Sequence, residues 1–138
     1  MGKRSTARRL AMQAIYQTEL SGVEIEKALE ALFEDESVPD DTRKFALRLA
    51  NGTQGVKAEL DKKIAEMSKN WANDRINAIN MSILRLAFYE LLYEKDTPRA
   101  VVINEALDLA NKYADEESAK FINGILGGVL SATAIVCG

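Results

Sequence analysis

Lys3, Arg4, Arg8 and Arg9 place four positive charges in the first nine residues, with no acid among them. Guanidinium and ammonium groups at this density attract phosphate. The residues that follow predict a helix from about Ser5, with Arg8 and Arg9 in its first turn. The helix macrodipole is positive there and favours acids, so basic side chains forgo about 0.3–1 kcal/mol each. A docked RNA phosphate would relieve this repulsion by accepting hydrogen bonds from the guanidinium groups and the free backbone N–H groups. An ordinary solvated basic terminus is the alternative, and the cluster alone does not decide between them.

Little else in the chain carries chemistry. Histidine is absent and Cys137 is the single cysteine, so the commonest general acid–base residue and the ligand sets of structural zinc are missing. Glu34-Asp35-Glu36 and Asp115-Glu116-Glu117 read as solvated acids in loops or at helix starts. Gly124, Gly127 and Gly128 lie in an apolar helical stretch without the Lys-Ser/Thr pair of a phosphate-cradling loop, and read as packing or helix-end glycines. Nothing here argues for an enzyme, a cofactor or a metal.

The chain has 138 residues, 47% of them hydrophobic and 28% charged, which fits one domain over residues 1–138 with a substantial core. The formal net charge of −3 conceals an asymmetry: beyond the basic end, fourteen basic residues face 21 acidic ones. Such a body is poorly suited to wrapping nucleic acid all round, but one end can still bind phosphate. No apolar stretch approaches the ~18 residues of a membrane span. No apolar signal region follows the basic N-terminus, so the expected compartment is the cytoplasm.

The elements that must position these residues are helical. Expected helices run from about Ser5 to Leu20, with Gly22 ending the first, and from Val23 to Phe33. A long pattern then carries Phe45, Leu49, Thr53, Val56, Leu60, Ile64 and Met67 beyond a cap at Asp40 or Asp41. Gly52 and Gly55 inside it mark a kink or a close helix crossing. Asn73 or Asp74 is expected to cap a helix reaching about Glu94, whose inward face is Ile76, Ile79, Ile83, Leu84, Ala87, Leu91 and Leu92. Pro98 stands near the start of a fifth helix that buries Val102, Ala106, Leu109 and Ala110. A sixth begins near Asp115–Ser118 and buries Ile122, Ile125, Leu126 and Val129. No strand pattern competes, and the expected fold class is all-α.

Several blocks in order give the chain a resemblance. Ala7-Arg8-Arg9 precedes Ala11-Met12-Gln13-Ala14-Ile15-Tyr16. Trp71, Arg75, Ile83-Leu84-Arg85 and Tyr89-Glu90-Leu91 follow. Then come Pro98, Val102-Ile103-Asn104-Glu105-Ala106, Ala110, Tyr113, Ser118 and Lys120-Phe121-Ile122-Asn123-Gly124-Ile125-Leu126. Over roughly residues 4 to 126 this resembles the NusB transcription antitermination factor family, and the last two blocks at this separation are specific together.

The resemblance implies a compact all-α domain of two packed helical bundles. It also implies binding of boxA-containing single-stranded RNA together with NusE, a small-subunit ribosomal protein. That assembly helps RNA polymerase read through terminators, notably in ribosomal RNA operons. Neither catalysis nor a cofactor is implied. Matched residue by residue, Arg4 and Arg8 fall on the family's RNA-contacting basic residues, with Lys3 and Arg9 as neighbours and Gln13 further along. Lys120 and Phe121 fall on a second RNA-contacting element, where an aromatic ring can stack on an unpaired base for about 1–3 kcal/mol. Phe121 also borders an apolar stripe, so a core role stays open. Tyr16 and, more weakly, Glu90 fall on the NusE-binding side.

The chain departs from the family in three places. Ser5-Thr6 stands where relatives carry a denser arginine run. Asn80 stands where relatives place acids at the partner face. Gly127-Gly128 and an uncharged tail replace a basic segment, and that tail either packs on the body or promotes self-association. A homodimer stays open, as relatives are monomers or dimers. Two other functions are compatible with such a fold. One is the NusB-like RNA-targeting domain of a ribosomal RNA cytosine methyltransferase, for which the chain shows no cofactor-binding α/β region. The other is a helical adaptor without RNA binding.

Overall fold

The computed structural model describes residues 3–69, 71 and 75–137, with side chains described as far as Val129. Seven α-helices form among the described residues: α1 (Lys3–Ser21), α2 (Ile25–Asp35), α3 (Asp40–Gly55), α4 (Lys57–Met67), α5 (Ala78–Tyr93), α6 (Arg99–Tyr113) and α7 (Glu116–Cys137). The fold is all-α, as the periodicity and the resemblance imply.

Local chemistry sets most of the helix ends. Gly22 adopts φ +77°, a left-handed conformation that glycine takes without steric cost, and its N–H donates to Thr18 O at 2.9 Å to close α1. Pro39 and Pro98 stand immediately before α3 and α6, where their missing N–H groups cost no helical bond. The cap of α5 is Asn77, whose side chain accepts from Asn80 N at 3.0 Å. The expected caps at Asn73 and Asp74 lie outside the described residues. Asp115 Oδ1 accepts from Ser118 N at 2.7 Å at the start of α7.

The long third pattern is two helices rather than one. Val56, at φ −119° and ψ 25°, ends α3 and begins α4. Gly52 lies before this break, at a close crossing: a Cβ there would clash with the phenol end of Tyr89 from α5, at its Cζ. Gly124 permits a second close approach, because its missing Cβ leaves room for the indole of Trp71. Gly127 and Gly128 do not end a helix, since α7 continues to Cys137.

α1, α2 and α3 pack on one another, and α6 and α7 pair and join α4 through α5 and α7. α5 touches both groups, so the two bundles share one hydrophobic core. Leu10, Ile15, Leu49, Leu60, Phe88 and Ile122 are among its fully buried side chains. Of the expected inward face of α5, Ile83, Leu84 and Ala87 are buried, but Ile76 precedes the helix and is 43% exposed. Such isolated helices would be marginal in water, so this shared core supplies most of their stability.

Ion pairs add geometry to the apolar packing. Arg85 of α5 reaches Asp61 of α4 at 2.6 Å and Glu19 of α1 at 2.8 Å. Partial burial pushes the Glu19 carboxyl up, but Arg85 and Lys57 outweigh it and the net shift is downward. Asn80 is fully buried and donates to Arg75 O at 2.8 Å, so it presents nothing to an outside partner. This corrects its placement on a partner-binding face.

Candidate nucleic-acid interface

The first two turns of α1 divide the four expected cations. Lys3 and Arg4 are exposed, and the Arg4 guanidinium lies 4.1 Å from the centroid of the Phe45 ring. Arg8 is one turn on, on the face that carries Ala11, Met12 and Ile15 into the core, and is only 2% exposed. Its Nε donates to both oxygens of Glu90, at 3.0 and 2.9 Å, and its Nη1 lies 3.6 Å from Glu105.

Two expectations are corrected by this pair. Arg8 cannot contact an RNA phosphate in this arrangement, because its charge is buried and matched inside the protein. Glu90 is likewise 2% exposed and offers no partner-binding surface. Burial pushes the Glu90 carboxyl up, while the hydrogen bond and charge of Arg8 pull it part of the way back.

Arg9 is half-buried and remains at the surface. Its Nη2 donates to Glu36 at 2.8 Å and its Nη1 to Gln13 at 3.2 Å. The Glu36 hydrogen bond raises Arg9 above the ordinary arginine value, and Arg9 in turn holds the Glu36 carboxyl down. Gln13 therefore orients Arg9 in this structure.

Arg9 borders a depression of about 150 Å³ with Ser5, Thr6, Glu105, Asp108, Leu109, Lys112 and Tyr113. Lys112 projects toward the Tyr113 ring, with Nζ 5.6 Å from its centroid. Further along α6 and α7, Asn111, Lys120 and Asn123 line a second, shallower depression. The rim of the first thus mixes cations, an aromatic ring and carboxylates. The carboxylates of Glu105 and Asp108 leave binding there to local contacts rather than to bulk positive charge. Sequence reasoning used Tyr113 only as part of a family block and passed over Lys112. The available signal was their adjacency, a cation beside an aromatic ring at the end of a helix.

The second expected element splits in the same way. Lys120 is exposed and forms only a loose 3.6 Å pair with Glu117. Phe121 is 1% exposed and meets Trp71 edge-on, with ring centroids 5.5 Å apart at 80°. The core role left open for Phe121 is the one it occupies, and no face of its ring is free for a base. Tyr16 is half-buried on α1. Among the described residues, no group of three or more His, Cys, Asp or Glu side chains is placed to hold a metal, and no helix is long and apolar enough to cross a membrane.

Comparison with known proteins gives this surface a context. Residues 5–131 match the NusB family. A transcription antitermination protein NusB of Clostridium botulinum (strain Loch Maree / Type A3) is 39% identical, over 92% of this chain and 99% of its own. One of Myxococcus xanthus (strain DK1622) is 40% identical, over 96% of this chain and 97% of its own. A crystal structure of the antitermination factors NusB and NusE in complex with double-stranded RNA contains a chain of the same fold. Its TM-score is 0.86 at 27% identity, and the match covers 94% of this chain and 97% of that one.

Proposed function

The chain belongs to the NusB family, and from that premise we propose that it is a non-catalytic transcription antitermination factor that binds boxA RNA together with NusE. In this role it promotes read-through by RNA polymerase in the cytoplasm, notably in ribosomal RNA operons. The observation that carries the reading is the shared fold, over 94% of this chain, with a protein crystallised with NusE and RNA.

The accessible cations fit that role. Lys3 and Arg4 at the start of α1, Arg9 and Lys112 around the first depression, and Lys120 on α7 are all at the surface. They are spread along the N-terminal end of α1 and the junction of α6 with α7. A single-stranded RNA laid across them would exchange its counterions for these side chains, with Tyr113 and Gln13 beside the path. The surrounding acids keep the protein's own affinity modest, and NusE, docked on the side of α1 that carries Tyr16, would supply the rest of the binding energy.

RNA binding measured for the chain alone, for NusE alone and for the mixture, with masses determined in the same buffer, tests the proposal. The expected result is a complex that binds boxA RNA more tightly than either protein alone, with binding that weakens as salt rises. If NusE binds but never improves RNA binding, the chain is an adaptor and the proposal fails.

A further inference from the structure

On the opposite flank of α1 from the Arg9 depression, Lys3, Arg4, Asp41, Thr42 and Phe45 line a hollow of about 510 Å³ between the first turns of α1 and α3. We infer that this hollow is a pocket for one guanine base of the bound single-stranded RNA, stacked on Arg4 and read by Asp41. The inference rests on the RNA-binding function proposed above and adds a position at which the protein reads sequence.

Four features of the hollow point to a base rather than a bare phosphate. The first is the platform. Phe45 is half-buried, and the Arg4 guanidinium stands over its ring with Cζ 4.1 Å from the centroid. Arg4 is itself an exposed residue, and unpaired RNA bases stack on arginine guanidinium planes.

The second is the acceptor. Asp41 is exposed in the first turn of α3, and neither it nor Arg4 makes an ion pair among the described residues. A carboxylate on the wall would repel a phosphate, but it accepts hydrogen bonds from the N–H groups on a base edge. Guanine is the base whose Watson–Crick edge presents two adjacent donors, N1–H and N2–H, to match the two oxygens of a carboxylate.

The third is an unused hydroxyl. Thr42 is 2% exposed and its Oγ1 has no hydrogen-bond partner. The carbonyl four residues earlier, Val38 O, which a helical threonine commonly bonds, accepts instead from Arg43 Nε at 2.9 Å. This hydroxyl lies buried in the residue that forms part of the hollow's wall, and the protein leaves it without a partner. The fourth is Lys3, whose exposed ammonium at the rim can pair with the phosphate of the same nucleotide.

The test uses the full chain with NusE and a single-stranded boxA RNA whose guanosines are replaced one at a time by inosine, which lacks the N2 amino group. Affinity is read by fluorescence anisotropy at fixed salt. At one position inosine should weaken the wild-type complex about tenfold. Asp41→Ala should weaken binding to the guanosine RNA by a similar factor and be indifferent to inosine at that position. Arg4→Lys keeps the charge but loses the plane, so affinity should fall about five- to tenfold with an unchanged salt slope. Asp41→Ala binding as wild type does, or inosine sensitivity persisting in that variant, overturns the pocket while leaving the proposed function intact. Free GMP competing as effectively as the RNA would assign the hollow to a mononucleotide and overturn it too. A wild-type complex that binds no boxA RNA removes both proposals together.

Discussion

Arg8 and Glu90 meet inside the core across 82 residues of sequence, with Arg8 Nε donating to Oε1 at 3.0 Å and to Oε2 at 2.9 Å, and this ties α1 to α5. The pair is flanked by Glu105, whose Oε1 accepts from Ser5 Oγ at 2.6 Å, while Arg8 Nη2 is buried without a partner. Burying both charges removes them from water at high cost, so the pair does more to fix the helices in register than to add net stability.

Removing one member leaves the other charge buried and unmatched. Arg8→Ala should therefore lower unfolding free energy by about 3–5 kcal/mol in urea titration. The double variant Arg8→Met/Glu90→Leu should lose less than either single truncation. Under conditions where an Arg8 variant stays folded, the salt slope of RNA binding should match wild type. A slope reduced by a full phosphate contact would return Arg8 to the RNA surface.

Glu90 also predicts a pH dependence. Its folded pKa is raised by burial, so the folded protein holds that proton more tightly than the unfolded chain does. The corresponding stability is fully present below the unfolded value, about 4.3, and fades as pH rises through the folded value. Glu90→Gln removes this component. The stability of wild type minus that of Glu90→Gln should fall with rising pH across the window; a difference that climbs instead contradicts the assignment.

At the surface, Lys3→Ala and Arg4→Ala should each weaken RNA binding and lower the magnitude of the salt slope by about 0.7, the value for one phosphate on a single strand. Arg9→Ala should cost less, since Arg9 must leave Glu36 to reach a phosphate. Binding of the Lys3/Arg4 double variant that equals wild type at every salt concentration would eliminate the cationic tip as a footprint.

Phe121→Ala should act on the fold. Loss of a fully buried ring costs about 3–5 kcal/mol. The emission of Trp71, the single tryptophan, should shift in the folded variant because its edge-on neighbour is gone. Wild-type stability with weakened RNA binding would favour base stacking instead.

Gly52→Ala drives a methyl group into the ring of Tyr89, and overpacking of this kind costs about 1–3 kcal/mol. Adding Tyr89→Leu should recover part of that loss in thermal melts. If the double variant is simply the sum of two losses, the two residues do not share the crossing.

Much of the helical architecture is legible locally. Val102, Ala106, Leu109 and Ala110 on α6, and Ile122, Ile125, Leu126 and Val129 on α7, are all buried as their spacing predicts. A period of 3.6 records which side of a helix is apolar, whatever the helix packs against. The break at Val56 is less legible, because apolar spacing continues through it and, of the two glycines before it, Gly52 serves the crossing with Tyr89 while Gly55 faces open space. Ile76 has the right spacing for α5 yet precedes the helix, whose start is set by the Asn77 cap.

The sequence by itself determined that the chain is helical, where its core stripes run, that its basic charge gathers at one end, and which family its ordered blocks belong to. Only the tertiary structure decided which of those charges remain available. Arg4 and Arg8 are the same residue type one helical turn apart, and nothing local distinguishes them. The difference is that α5 brings Glu90 against one while the other rests on Phe45 at the surface. A long-range contact of this kind leaves no periodic trace in the chain, because burial of a charge depends on what lies opposite it rather than on its own neighbours.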